Sequence, residues 1–143
     1  MKLHIPILTV LIVSSFALFG AIAPMTPMDL EKNSDLIITG KVIGMTSKIT
    51  KSKVEKAFGI HRDKIFKVTI KITKILKGKG VKLGQNINIG AWQPRVRIPP
   101  YPGPQGNQLI PNKSDFVKVY LYVKSENNYT ALLPNGFKIK TNK

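Results

Sequence analysis

The sequence predicts a small all-β domain with a minor helical part, and three observations lead there. Ile65–Leu76 alternates, with Phe66, Val68, Ile70 and Ile72 on one side of an extended strand and Lys67, Thr69, Lys71 and Thr73 on the other. Asn86–Trp92 and Asp115–Val123 repeat the pattern. Glycine, proline and asparagine clusters separate these runs, as turns require. A chain of 143 residues has the length of one domain.

Residues 1–23 read as an export segment, leaving residues 24–143 as the domain. Lys2 supplies positive charge, and Ile7–Ala23 is apolar apart from Thr9, Ser14 and Ser15. Ala21-Ile-Ala23 has the spacing of a cleavage site, but Pro24 follows it directly. The segment is therefore either a signal peptide or a retained N-terminal membrane anchor. Both place the domain at the cell surface or in the extracellular space. Thr26–Asn33 is expected as a short helix, with Thr26 as cap, Pro27 at the first position and Asp29 in the first turn.

Leu36–Gly44 reads as the first strand, with Leu36, Ile38 and Val42 on one face. Gly40 and Gly44 within it mark bulges or a sharp coil. Lys48–Lys64 is polar and basic, and reads as a long exposed connection with one helical turn around Val54–Phe58. His61 reads as a loop histidine; no convergent ligand set accompanies it, so no metal site is expected.

After the central strand, Gly78 and Gly80 mark a turn, and they lack the context of a phosphate loop. Asn86–Trp92 follows as a strand with Ile87, Ile89 and Ala91 inward. Gln93–Lys113 reads as a proline-rich loop, because six of the ten prolines lie between Pro94 and Pro111 and proline donates nothing to a ladder. It is either a recognition loop bearing Arg95, Arg97 and Tyr101 or a stiff connector. Asp115–Val123 is the next strand, with Val117, Val119 and Leu121 toward the core. Glu126-Asn-Asn is a tight turn, and Pro134-Asn-Gly136 signals a hairpin joining Tyr129–Leu133 to Phe137–Ile139.

The charge balance is 23 basic residues against 7 acidic ones, a formal +16, and lysine dominates. Such an excess either keeps the surface soluble or attracts an anionic partner. Lysine acts as a mobile point charge, which suits diffuse attraction better than a shaped phosphate pocket. The sequence has no cysteine, so disulfides, thiolate metal sites and a cysteine nucleophile are excluded. No carboxylates are spaced for acid–base work and no serine sits in a nucleophile elbow, so no enzyme is expected, and no cofactor.

Ser34-Asp-Leu-Ile-Ile-Thr-Gly-Lys-Val42 and Lys74-Ile-Leu-Lys-Gly78, with the order of elements around them, resemble exported prokaryotic domains with the netrin-like OB-fold of tissue inhibitors of metalloproteases. The likeness covers Met28–Lys140. It implies a five-stranded, partly closed OB-like barrel. Those inhibitors use an N-terminal cysteine on the protease zinc, and this chain has none, so that mode of inhibition does not carry over.

OB-folds bind oligonucleotides and oligosaccharides on the face of the second and third strands and the adjoining loops. On that pattern the ligand-binding residues expected here are Lys67, Lys71, Trp92, Arg95, Arg97 and Tyr101, joining cations to stacking rings. The expected partner is an anionic polymer, with an acidic envelope glycan favoured over nucleic acid because of export. The alternative is a cell-surface module that docks on an envelope protein and has no polyanion site; on either reading a monomer is expected. Contact with membrane lipid follows if the N-terminal segment is retained.

Overall fold

The computed structural model describes residues 22–54, 58–101, 103 and 105–140. The export segment expected over residues 1–23 lies outside the described residues except for Ile22 and Ala23, as does the middle of the turn expected around Val54–Phe58. Among the described residues, no helix is long and apolar enough to cross a membrane.

A short helix, α1 (Pro27–Asn33), leads into six strands: β1 (Leu36–Lys51), β2 (Ile60–Lys77), β3 (Asn86–Ile98), β4 (Phe116–Ser125), β5 (Asn128–Ala131) and β6 (Phe137–Ile139). Neighbours run β1-β2-β3-β5-β4, and β4 returns to β1, so five strands close a barrel. All pairings are antiparallel except β3 with β5, where Ile89 faces Tyr129 and Gly90 faces Thr130 in parallel. This is the OB-like fold class expected, with the barrel closed.

The central alternation holds. Phe66, Val68, Ile70 and Ile72 are buried, and Ile38, Ile87, Ile89, Val117, Val119 and Leu121 complete the interior with them. Burying each such side chain contributes about 1.5–3 kcal/mol, which makes this core the main source of stability in a chain without disulfides. Closure needs β1 to coil, and its register shifts after Ile37, Thr39 and Val42. Gly40 permits the coil: a Cβ there would lie 2.4 Å from the Lys71 carbonyl oxygen.

A second, smaller apolar cluster lies outside the barrel, where Leu30 of α1 packs on Ile37 and Tyr120. The cap forms as expected, since the Thr26 side chain accepts from the Asp29 N–H. The Lys77 ammonium donates to the Glu31 and Ser34 carbonyl oxygens at 2.6 Å each, so β2 supplies the cation at the C-terminal end of α1.

Four expectations are corrected. Lys48–Lys64 is not a long connection: β1 continues to Lys51 and β2 begins at Ile60. The backbone pairing of Ile49–Lys51 with Arg62–Lys64 runs on past the apolar interior, and the Ser52 N–H donates to the His61 carbonyl at 2.9 Å. His61 is not a loop histidine but a buried strand residue, 5% exposed. The proline-rich loop does not begin at Gln93, because β3 runs through Pro94, Arg95 and Arg97 to Ile98. Asp63 faces Pro94 and Arg62 faces Val96, so Arg95 is the extra residue of a bulge. That bulge lets a strand carry a proline.

The fourth correction concerns Pro134-Asn-Gly136, which joins no hairpin. β5 and β6 both lie along the same edge of β4, β5 opposite Leu121–Ser125 and β6 opposite Val117–Val119. They are two pieces of one interrupted strand. The interruption folds back on itself, with the Gly136 N–H donating to the Leu132 carbonyl at 2.9 Å. Tyr120 of β4 spans the break, donating to the Gly136 carbonyl and accepting from the Leu132 N–H, both at 2.9 Å. Buried Asn135 is turned inward, where its amide bonds both the N–H and the carbonyl of Met25, at 3.0 and 2.9 Å.

Candidate functional site

The outer face of β1–β3 is built from register. Its rows are Lys41–Lys71–Asn86, Gly44–Thr69–Asn88, Thr46–Lys67–Gly90 and Lys48–Ile65–Trp92. Lys67 and Lys71 are exposed and share this face because they are an even number of residues apart on one strand. They stand about 13 Å apart along it at the usual strand rise. Between them the Thr69 hydroxyl donates to Asn88 Oδ1 at 2.8 Å. That bond orients the Asn88 amide and leaves its N–H donors available to a ligand.

Gly90 brings no side chain to the row it shares with Lys67. A groove of about 610 Å³ opens over it, lined by Thr46, Lys48, Lys67, Asn88, Asn128 and Thr130 among others. The far wall comes from β5 and from the turn before it, where Asn127 adopts a φ of 58°. The lining mixes amide, hydroxyl and ammonium groups with the apolar surface of Ile65, Phe66 and Tyr129, and both lysines lie toward the β1–β2 side. Such a trough can hold an extended chain bearing hydroxyls and negative charge.

The remaining expected residues fall elsewhere. Trp92 lies on the same outer face but is partly covered, because the chain returns over it at Gly106; a Cβ on Gly106 would lie 2.2 Å from the Trp92 carbonyl oxygen. Arg97 pairs with Asp63, both side chains 14% exposed, and also donates to the Arg62 and Val96 carbonyls at 2.8 and 2.9 Å. Its guanidinium is thus committed to holding the projecting end of the sheet. Tyr101 meets His61 edge to face with ring centres 6.1 Å apart. Those rings, with Val54, Phe58, Pro99 and Pro100, line a separate small cavity. Arg95 is exposed at the bulge. The structure therefore gathers Lys67, Lys71 and Trp92 on one face, and assigns Arg97 and Tyr101 to the distal end.

Sequence reasoning missed Lys48, Thr46, Asn128 and Thr130 as neighbours of Lys67. The β1 residues were hidden because that strand was read as ending at Gly44. The β5 residues arrive through the parallel closure, which no local pattern encodes. Among the described residues, no group of three histidine, cysteine, aspartate or glutamate side chains converges as a metal site would need.

Comparison with protein-family models, with curated proteins and with solved structures finds no match for this chain. What fold and face define together is an OB-like barrel with a lysine-bearing outer groove.

Proposed function

We propose that the chain is an exported binding module for an anionic polymer, with an acidic cell-envelope glycan as the preferred ligand and nucleic acid as the alternative. The observation that carries this reading is the exposed pair Lys67 and Lys71 on one face, with Lys67 and Lys48 in the wall of a glycine-floored groove that also offers amides and hydroxyls. Ammonium groups draw a polyanion from a distance, while short-range donors and acceptors match sugar hydroxyls. The formal +16 adds long-range attraction. The export segment and the netrin-like resemblance support a place outside the cytoplasmic membrane. The groove follows the face on which OB-folds engage oligosaccharides and oligonucleotides.

The test is retention on a heparin-like resin and on a nucleic-acid resin across a salt gradient. Lys67→Glu combined with Lys71→Glu is expected to elute at clearly lower salt than Lys138→Glu combined with Lys140→Glu, which removes the same charge elsewhere. Equal elution of the two double variants defeats the site and leaves bulk charge as the whole effect.

A further inference from the structure

We infer that the projecting edge of β1, Ile43–Thr50, accepts an added β-strand from a partner segment of alternating acidic and apolar residues. The pairing of β4 on β1 ends at Lys41, and the last backbone bonds on that side are those of Val42 with Ser114 and Asp115. From Ile43 onward the strand pairs only with β2, and among the described residues no strand lies along its other edge. A free edge presents a row of backbone donors and acceptors, which proteins normally blunt with lysine, proline or a bulge. Here the blunting is thin. Ile43–Thr50 contains no proline and a single lysine, Lys48, in a chain that is otherwise lysine-rich, and its one bulge is at its very start, between Val42 and Gly44.

The two faces beside this edge say what the incoming strand carries. On the outer face the edge shows Thr46 and Lys48, with Lys67 in the next strand. On the opposite face it shows Met45 and Ile49, 40% and 58% exposed. Among the described residues, the carboxylate close by, Asp63, is held by Arg97. An added strand would therefore set carboxylates against the lysines on one side and aliphatic groups against Met45 and Ile49 on the other. A second copy of the chain fits poorly, since it brings another +16 and no acids at this edge. The chain's own residues 1–21 contain no acidic residue.

The test uses the full chain and a capped octapeptide of alternating glutamate and valine, with a lysine–valine octapeptide as control. Binding is expected for the acidic peptide alone, with slowed amide hydrogen exchange confined to Ile43–Thr50. Alternate N–H groups of an added strand point toward the protein. N-methylation of every glutamate and N-methylation of every valine should therefore give unequal results, one analogue weakened roughly tenfold or more and the other nearly unaffected. The variant Met45→Ser with Ile49→Ser should weaken the acidic peptide yet keep its polyanion retention, because both residues face away from the groove and the change leaves the charge untouched. Equal binding by the two methylated peptides means charge attraction alone and overturns the inference. Protection of Ile43–Thr50 that rises with protein concentration in the absence of peptide makes a second copy the occupant, and overturns it equally.

Discussion

Asn107 bonds both backbone groups of Trp92. Its side-chain Oδ1 accepts from the Trp92 N–H at 3.1 Å and its own N–H donates to the Trp92 carbonyl at 2.8 Å. It stands in for a strand partner at the point where β5 no longer reaches β3. The residue is 1% exposed, its carbonyl accepts from Gln93, and its amide donates to the Leu132 carbonyl at 3.4 Å. Asn107→Ala leaves a buried backbone N–H unsatisfied and should lower the unfolding free energy by about 2 kcal/mol. Urea denaturation followed by Trp92 fluorescence measures it; an unchanged midpoint contradicts the role.

Gly40 and Gly90 should separate fold from function. A Cβ on Gly40 meets the Lys71 carbonyl oxygen at 2.4 Å, whereas one on Gly90 meets its nearest neighbour at an ordinary 3.6 Å. Gly40→Ala should cost about 3 kcal/mol, as overpacking against backbone does. Gly90→Ala should stay within about 0.5 kcal/mol of the parent. Gly90→Leu fills the groove and should reduce polyanion retention in a folded protein, checked by resin elution with circular dichroism as control.

Arg97 should behave as a structural cation. Its bonds to Asp63 and to two carbonyls tie β2 to β3 beyond the barrel. Arg97→Gln is expected to destabilise by about 2 kcal/mol through the stranded Asp63 carboxylate. Its effect on resin elution should match that of removing any single surface charge. Thermal melts and salt elution measured on the same samples decide between this role and a ligand role.

Lys118 should be the late-titrating lysine. Hydrogen bonding to the Tyr120 side chain raises its pKa above the ordinary 10.5; burial opposes this, and Glu31, with Oε1 at 3.5 Å, adds to it. A folded-state value above the unfolded one stabilises the protein fully below pH 10.5, and that contribution is lost as pH rises through the folded value. NMR titration of the lysine side chains should show Lys118 deprotonating above the reference. Tyr120→Phe should return it toward 10.5, and Glu31→Gln should do so by less.

The interior was legible because period-2 alternation is local. Phe66 through Ile72, Ile87 through Ala91 and Val117 through Leu121 each declare their buried side within a few residues. The helix cap at Thr26 and the turn at Asn127 follow from side-chain chemistry within four residues. What stayed hidden depends on partners far along the chain. His61 and Arg97 looked like solvent-facing residues because the ion pair that draws their strands together joins positions 34 residues apart. Pro94 looked like a strand terminator because the bulge that accommodates it shows only in the pairing with β2. Pro134-Asn-Gly136 has hairpin chemistry, but Tyr120 claims the backbone groups on either side of it. For the candidate site, the lysines of β2 could be read directly, while the β5 wall of the groove could not.

The clasp between Asn135 and Met25 has a mechanical corollary. If residues upstream of Met25 are fastened to a surface, tension entering the domain meets this amide before it reaches α1. The load then divides, part passing into the C-terminal strand pair and part into the helix. The molecule would hang from both of its ends at once, and the helix would be shielded from uncoiling first.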